Sequence, residues 1–283
     1  MLLNFIDETK LNYDGLSANT HDSAIELLRK NLDRINWEQF SGNSNDGAIA
    51  LIKNAMIKTP NKIHWKTLSC NSNDGAIALI KNAMRKNPEK INWKYLSWNS
   101  NDEAIQLLRE NPDKIDWPFL SWNSNDGAIQ LLRENFDKIC WKTLSNNSND
   151  GAIQLLRENF DKICWKTLSN NSNDGAIQLL RENPDNIDWS MLSWNKNDGA
   201  IALLQENQKE IYWTWLSNNS NDKAVKLLIN AIKENPRKIN WKNLSSNTSN
   251  DAIELLRENQ DKINWINLSR NPAIFYDCSY VLK

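Results

Sequence analysis

The chain has 283 residues and a formal net charge of −1. A charge this close to zero provides no basic surface of the kind that nucleic acids or anionic membranes attract. No stretch of about 18 apolar residues is present, which excludes a membrane-spanning helix. The first residues, MLLNFIDETK, lack the basic and apolar segments of a signal peptide. We therefore expect an intracellular protein that has no membrane partner.

The chain consists of copies of one short sequence. Residues 127–150 read GAIQLLRENFDKICWKTLSNNSND, and residues 151–174 repeat that string without a change. A register tryptophan recurs at spacings of 24 or 28 residues, at positions 37, 65, 93, 117, 141, 165, 189, 213, 241 and 265. Tyr13 takes this place in the first copy, which makes eleven repeats. We predict one continuous repeat domain over residues 1–283, with an N-terminal half-repeat cap at residues 1–19 and a C-terminal cap at residues 271–283.

Each repeat contains a first helical segment, such as residues 148–158, SNDGAIQLLRE. Its alanine, isoleucine and leucine residues lie on one side of a helix, and its glutamine, arginine and glutamate face away. We expect Ser148 to be the N-cap, followed by Asp150 in the first turn, where the helix dipole favours an acidic residue. In another repeat, Ser100 and Glu103 have the spacing of a capping box.

A second helical segment has the pattern Trp-x-x-Leu-Ser-x-Asn. Pro118 predicts that this helix begins near Asp116, because a proline is tolerated in the first turn, where its missing N–H has no helical partner. Residues 113–115 are then expected to be a connector. The closing asparagine, such as Asn147, has two interpretations: a left-handed residue just after the helix end, or a member of a hydrogen-bonded ladder.

Both segments are shorter than the roughly 12–15 residues that a helix needs to be stable alone in water. They must therefore bury their apolar sides against neighbouring repeats. This requirement predicts an all-α fold, an α-solenoid of about eleven short helical hairpins.

Three of the spacings are 28 residues instead of 24, and the extra four residues follow the apolar part of the first segment. Four residues make about one helical turn, roughly 6 Å long. We therefore predict longer first helices at these places, and no inserted loops.

Residues that could carry out catalysis are few. The two histidines, His21 and His64, lie in different repeats, and no phosphate-binding loop, nucleophile elbow or metal-spaced cluster is present. Cys140 and Cys164 are the same position of the two identical copies, so their recurrence reports duplication and no metal or redox spacing. We expect no enzyme activity, no cofactor and no metal site.

Two groups of large apolar residues break the repeat pattern. They stand two and five residues after the register tryptophan, which makes them neighbours on one helix surface. The first aromatic cluster comprises Tyr95, Trp98, Phe119 and Trp122, and the second aromatic cluster comprises Met191, Trp194 and Trp215. The same GAIQLLREN follows Trp122 and Asn146, so the neighbouring residues do not become smaller to make room for a tryptophan. This favours exposed binding surfaces, with additional core as the alternative, whereas the register tryptophans are interpreted as core anchors.

The motif I-D-W-x-x-L-S-x-N, followed by A-I-x-L-L and N-P-D-K, resembles the short tandem helical repeats of giant DNA viruses of the mimivirus group. The match runs from about Ile6 to Lys283. The resemblance implies a viral source and a solenoid, and no reaction.

We accordingly predict a non-enzymatic protein-interaction scaffold or adaptor that acts on viral or host proteins in the host cytoplasm. A structural, homo-oligomeric repeat protein is the second hypothesis. Single-stranded RNA binding is the third, and the balanced charge disfavours it, because helical repeats that read RNA place basic groups at fixed positions.

Overall fold

The computed structural model describes residues 13–268 and Asn271. Most of the two predicted caps, at residues 1–19 and 271–283, therefore lies outside the described residues. The described residues form helices and contain no strand, which confirms the all-α class and the α-solenoid of short repeats. The chain divides into two compact parts, Met1–Thr143 (the N-terminal part) and Leu144–Lys283 (the C-terminal part). The single continuous domain over residues 1–283 stays a prediction.

In the N-terminal part, long and short helices alternate along the chain. The long helices are α2 (Asp22–Lys30), α4 (Asp46–Lys58), α6 (Asp74–Lys86), α8 (Asp102–Glu110) and α10 (Asp126–Glu134). The short helices are α1 (Tyr13–Ala18), α3 (Trp37–Ser41), α5 (Trp65–Ser69), α7 (Trp93–Leu96) and α9 (Trp117–Trp122), and α11 (Trp141–Leu144) follows. Each long helix packs against the next long helix, and α1, α3, α5 and α7 form a second row in the same way.

The C-terminal part has the same alternation. Its long helices are α12 (Asp150–Glu158), α14 (Asp174–Glu182), α16 (Asp198–Glu206), α18 (Asp222–Glu234) and α20 (Asn250–Glu258). Its short helices are α13 (Trp165–Leu168), α15 (Trp189–Trp194), α17 (Trp213–Leu216), α19 (Trp241–Leu244) and α21 (Trp265–Leu268). The long helices again pack on their successors, and α15 packs on α17.

A 3-10 turn connects each long helix to the following short helix. In the N-terminal part these turns are Leu32–Arg34, Pro60–Lys62, Pro88–Lys90, Pro112–Lys114 and Phe136–Lys138. In the C-terminal part they are Phe160–Lys162, Pro184–Asn186, Gln208–Glu210, Pro236–Lys238 and Gln260–Lys262.

The connector predicted at residues 113–115 is therefore an ordered element. Asn111 leaves the helical region, with φ −132° and ψ 62°, which suits a residue before a proline, and Asn135 adopts nearly the same angles before Phe136. Pro112 then occupies the first position of the 3-10 turn, where its missing N–H costs nothing. Ile115, the last residue of the expected connector, is buried.

The predicted start of the short helix that contains Pro118 and the predicted lengthening of three long helices are confirmed. Helix α9 begins at Trp117, with Asp116 as its N-cap and Pro118 in its first turn. The helices of the longer repeats, α4, α6 and α18, each have 13 residues, whereas α8 has nine. The four extra residues therefore form one more helical turn and no loop.

The core is built from aliphatic side chains of recurring positions. In helix α8, Ala104, Ile105 and Leu108 are buried, and the leucine of the next short helix, Leu120, is fully buried. The register tryptophans lie outside this core, and their interpretation as core anchors is wrong. They are half-buried at most positions, and Trp265 is 65% exposed.

The position of the register tryptophan explains its partial burial. It is the first residue of a short helix, at the edge of the stack, where its ring contacts side chains of the 3-10 turns. The Lys90 Nζ lies 5.6 Å from the centre of the Trp65 ring, and Phe136 packs edge-on against Trp141 at 5.3 Å. The leucine three residues later in the short helix fills the core instead.

Candidate functional site

A buried asparagine ladder sets the position of the surface residues in each part. The Asn99 side chain is almost fully buried, and its Nδ2 donates to the Ser69 and Asn71 carbonyl oxygens of the preceding repeat, both at 3.0 Å. Its Oδ1 accepts from the Asn101 N–H at 3.0 Å. The ladder interpretation is thus confirmed. The left-handed interpretation of this asparagine is wrong, because no described non-glycine residue, Asn147 included, has a positive φ.

The buried serine of the Leu-Ser-x-Asn pattern makes a second link between repeats. The Ser97 Oγ donates to the Trp93 carbonyl at 2.8 Å, one turn back in the same helix. The same oxygen accepts from the Asp116 N–H of the next repeat at 3.0 Å. The end of one short helix is thereby tied to the start of the next.

Asparagine, and not serine, caps the long helices from α4 to α18, whereas His21 precedes α2 and Ser249 precedes α20. The Asn101 Oδ1 accepts from the Glu103 N–H at 2.9 Å, and the equivalent Asn149 caps helix α12. Ser100 and Ser148 stand one residue before these caps, so the serine cap and the capping box expected from the sequence are wrong. The asparagine is favoured because its amide has a donor left over: the Asn101 Nδ2 also donates to the Ser72 carbonyl at 3.0 Å and to the Asp74 Oδ1 at 2.7 Å.

The structure brings the four residues of the first aromatic cluster together on the surface of the N-terminal part. Trp98 and Trp122 stack with their ring centres 5.5 Å apart and their planes 15° from parallel, and they are 43% and 44% exposed. Tyr95 and Phe119 form a second ring pair at 5.8 Å and are half-buried. The two tryptophans lie at the surface, as the sequence predicts. Tyr95 and Phe119 are only partly exposed, so the prediction holds for them only in part.

These aromatic residues stand where other repeats carry polar links. In the neighbouring repeat, the Thr67 Oγ1 donates to the Glu38 carbonyl of the repeat before it, at 2.7 Å. Tyr95 occupies the position of Thr67 in its own repeat and makes a ring contact with the next repeat instead. At this position, an aromatic contact between repeats therefore replaces the hydrogen bond that Thr67 makes in the preceding repeat. Because the position lies outside the core, the larger side chains fit without changes in the core.

An open cavity of about 210 Å³ lies beside the stacked tryptophans. Its walls are Trp98 and Trp122, the loop residues Ser72, Ser100, Asn123 and Ser124, and Cys70. Burial raises the pKa of the Cys70 thiol, so this sulfur is protonated at neutral pH and contributes a neutral surface. The cavity is large enough for one amino-acid side chain, and it offers ring faces together with serine hydroxyl groups.

Two lysines border the aromatic rings on the other side. The Lys66 Nζ lies 4.9 Å from the centre of the Tyr95 ring, and the Lys94 Nζ lies 4.8 Å from the centre of the Phe119 ring. The hydrogen bond between Lys66 and Tyr95 holds the pKa of the lysine above its usual value. Both lysine side chains sit over the electron-rich ring faces that attract their ammonium groups.

Sequence reasoning missed these lysines as part of the site. The available signal is weak: each follows a register tryptophan and stands one repeat before the aromatic residue that it contacts. Lysine occurs at this position in other repeats too, as at Lys166, where the following repeats carry different neighbours. Only the fold shows which lysine meets which ring.

The second aromatic cluster lies in the C-terminal part. Trp194 and Trp215 contact each other, with ring centres 5.8 Å apart and planes at 31°, and they are 42% and 41% exposed. Met191 is half-buried, and Asp188, the N-cap of helix α15, accepts a hydrogen bond from its N–H. The structure therefore pairs the two tryptophans and leaves Met191 partly covered by its own repeat.

The residues considered for catalysis have structural roles. The His21 Nδ1 accepts from the Ser23 N–H and caps helix α2, and the His64 ring contacts the Thr67 hydroxyl. Among the described residues, no group of His, Cys, Asp or Glu side chains could hold a metal ion. Over the same residues, no helix has the length and apolar character that crossing a membrane requires. No family model, curated protein or solved structure matches this chain.

Proposed function

We propose that this protein is a non-enzymatic interaction scaffold that binds other proteins through its two aromatic clusters. The observation that carries this proposal is the stacked pair of Trp98 and Trp122, each more than two-fifths exposed beside an open cavity. Tryptophan side chains that stay exposed in a free protein, within reach of polar groups, are characteristic of binding hot spots. The rigid ladder beneath the pair supports it, because preorganised side chains lose little entropy on binding.

The partner proposed is a protein and not a nucleic acid. Stacked rings next to lysines also suit single-stranded RNA, whose bases stack on aromatic side chains while the phosphates contact basic groups. In this part of the chain, however, the exposed carboxylates of Asp74, Asp102 and Asp126 follow the loops that line the cavity. A row of carboxylates beside the rings repels a polyanion, whereas a protein partner can place basic residues against it. If the chain has the viral source that its repeats suggest, the partners are viral or host proteins.

A capture experiment with matched variants tests the proposal. Three tagged proteins are expressed in the cells that naturally make this protein and are isolated after cross-linking. They are the full-length wild type, the variant Trp98→Ala/Trp122→Ala and the variant Trp194→Ala/Trp215→Ala. We expect a defined set of proteins with the wild type, and we expect each double variant to lose the subset that its cluster binds. The proposal is wrong if both double variants retain every bound protein. RNA that co-purifies and is released by salt supports the third hypothesis instead.

A further inference from the structure

The surface around the first aromatic cluster has opposite charges on its two sides. One side carries a lysine row, and the other side carries an aspartate row that follows the cavity-lining serines. The lysine row is Lys66 and Lys94, the central column is Trp98 and Trp122, and the aspartate row is Asp74, Asp102 and Asp126.

The contacts establish the order of these rows. The lysine ammonium groups lie over the Tyr95 and Phe119 rings, and those residues stand three positions before Trp98 and Trp122. Lys94 stands near the start of α7, whereas the cavity that Ser72 and Ser100 line lies beside Trp98, which follows the end of this helix. The Asn101 amide nitrogen contacts both the Ser72 carbonyl and the Asp74 carboxylate, which places the aspartate row next to the serines.

Both charged rows are available to a partner. The two lysines and the three aspartates are exposed. Among the described residues, neither Lys66 nor Lys94 has a carboxylate of its own chain within ion-pair distance, and the Glu38 carboxylate attracts the Lys66 ammonium from farther away. Asp74 and Asp102 each accept a hydrogen bond from an asparagine amide through Oδ1 at 2.7 Å.

A surface with this order of charges is complementary to itself. A twofold axis that lies in the interface, parallel to the rows, places the tryptophan column of one copy on that of the other. The same rotation sets each lysine row opposite the aspartate row of the second copy, because a twofold interface pairs each patch with its counterpart on the other molecule. The net charge of −1 adds almost no long-range repulsion between copies.

We infer that the first aromatic cluster, together with its lysine and aspartate rows, binds a second copy of this chain around such a twofold axis. This inference rests on the proposed function, because it names the partner of one of the two clusters. Trp98 and Trp122 form the apolar centre of the contact. Lys94 pairs with Asp102 of the second copy, and Lys66 pairs with Asp74.

The second aromatic cluster lacks this self-complementarity. Lys166 takes the place of Lys66, but Ser190 takes the place of Lys94, so the second cluster has only half of the lysine row. Lys196 also replaces the serine that precedes the cap of helix α16. We therefore expect the second cluster to bind a different protein. Substitution of its tryptophans provides a matched control for the dimerisation experiment.

Sedimentation equilibrium of the full-length chain over a range of concentrations tests the inference. We expect a reversible monomer–dimer equilibrium with a dissociation constant on the order of 10 µM, because the contact relies on few side chains. Trp98→Ala/Trp122→Ala is expected to raise this constant at least about tenfold, as hot-spot residues do. Trp194→Ala/Trp215→Ala should leave it unchanged. A wild type that stays monomeric throughout overturns the inference, and so does a dimer that only the second pair of substitutions weakens.

Charge reversal gives the sharpest test. Lys94→Glu places two carboxylates opposite each other, and Asp102→Lys places two lysines opposite each other, so each variant alone should be monomeric. In a mixture of the two variants, the new glutamate at position 94 of one copy faces the new lysine at position 102 of the other. On the other side of the axis, the unchanged Asp102 of the first copy faces the unchanged Lys94 of the second. We therefore expect a heterodimer to form in the mixture.

Circular dichroism checks that both charge-reversal variants are folded. If Asp102→Lys is not, Asp102→Asn replaces it, and the asparagine variant is then expected to weaken the dimer. If two folded charge-reversal variants form no heterodimer, or if the asparagine variant dimerises like the wild type, the proposed pairing is wrong.

The capture experiment separates this inference from the proposed function. A monomeric chain that still captures proteins through Trp98 and Trp122 overturns the second-copy inference and leaves the scaffold proposal in place. A monomeric chain whose captured proteins are all independent of both clusters overturns both.

Discussion

The asparagine that stands six residues after the register tryptophan links each repeat to the one before it. In the N-terminal part, the Asn99 side chain makes three hydrogen bonds to backbone groups and is almost completely buried. Only an amide of this length can donate twice to the previous repeat and accept once from its own loop. The recurrence of this asparagine is therefore explained by polar groups that must be satisfied inside the stack.

We predict that Asn99→Ala destabilises the protein by about 2–4 kcal/mol, because it leaves buried carbonyl and N–H groups without partners. Chemical denaturation followed by circular dichroism measures this change. The control is Ser100→Ala, an exposed position next to it, which should change stability by less than about 0.5 kcal/mol. If Asn99→Ala is as stable as Ser100→Ala, the ladder does not hold the repeats together.

The exposed tryptophans should contribute less to stability than their size suggests. Trp98 and Trp122 are already 43% and 44% exposed, and they cover each other rather than the core. We expect Trp98→Ala/Trp122→Ala to cost about 2–4 kcal/mol in total, a lost ring stack plus the partly buried area. In a chain of this size that lowers the melting temperature by less than about 10 °C.

The fully buried Leu120 supplies the comparison for this melt. Leu120→Ala alone should cost about 2–5 kcal/mol, because it opens a cavity in the core. If the melting temperature of the double tryptophan variant is far below that of Leu120→Ala, the cluster is part of the core and the binding hypothesis loses its basis.

The helices of each repeat are held in register by their ends. Helix α8 begins at Asp102 because Asn101 caps it, and it ends at Glu110, just before Asn111 leaves the helical region. The Asn101 cap also bridges to the Ser72 carbonyl and the Asp74 carboxylate of the preceding repeat. One side chain thus defines where the helix starts and where the helix before it must lie.

We predict that Asn101→Ala costs about 1–2 kcal/mol, the usual loss for a helix cap, whereas Asn101→Ser costs less. Serine can still accept the cap hydrogen bond but cannot reach both partners of the preceding repeat. The same denaturation measurement distinguishes the variants. A capping serine at position 100 would instead make Ser100→Ala the destabilising change, and that result would contradict the asparagine cap.

Because the molecule is built from repeats, its length can be changed by one whole repeat at a time. In the C-terminal part, long helices from α12 to α20 pack on their successors through the same aliphatic positions. The stability of such a stack is approximately a sum over repeats and their neighbour contacts. Removing one repeat should therefore remove the contribution of that repeat to the free energy of unfolding and leave the contacts between the other repeats intact.

We predict that deletion of Gly151–Asp174, the second of two identical copies, gives a folded protein with the same helical content per residue and slightly lower stability. Deletion of residues 151–162, half of that copy, is the control, because it joins a helix start to a short helix and breaks the register. Circular dichroism and analytical gel filtration compare the two. Aggregation of the full-repeat deletion would show that contacts beyond neighbouring repeats are needed.

Several features could be predicted from the sequence because they depend on local physics. The spacing of 24 or 28 residues, the apolar sides and the proline positions indicated two short helices per repeat, the start of α9 at Trp117 and an extra turn in α4, α6 and α18. The unchanged GAIQLLREN after Trp122 favoured exposed positions for the large aromatic residues, with additional core as the alternative. Periodicity and steric restrictions act within a few residues, so one repeat contains all the information that they need.

Only the tertiary structure decided which polar groups meet across repeats. The cap could be assigned to serine or asparagine on propensity, and asparagine is chosen because Asn101 has partners in the preceding repeat. The register tryptophan was expected in the core, yet its place at a helix edge leaves it half-buried. The contact of Lys66 with Tyr95, 29 positions later, depends on the packing of one short helix on the next. The sequence by itself determined the repeat and its helices, whereas packing determined the arrangement of the aromatic surface and its charges, because those contacts join residues that no local pattern connects.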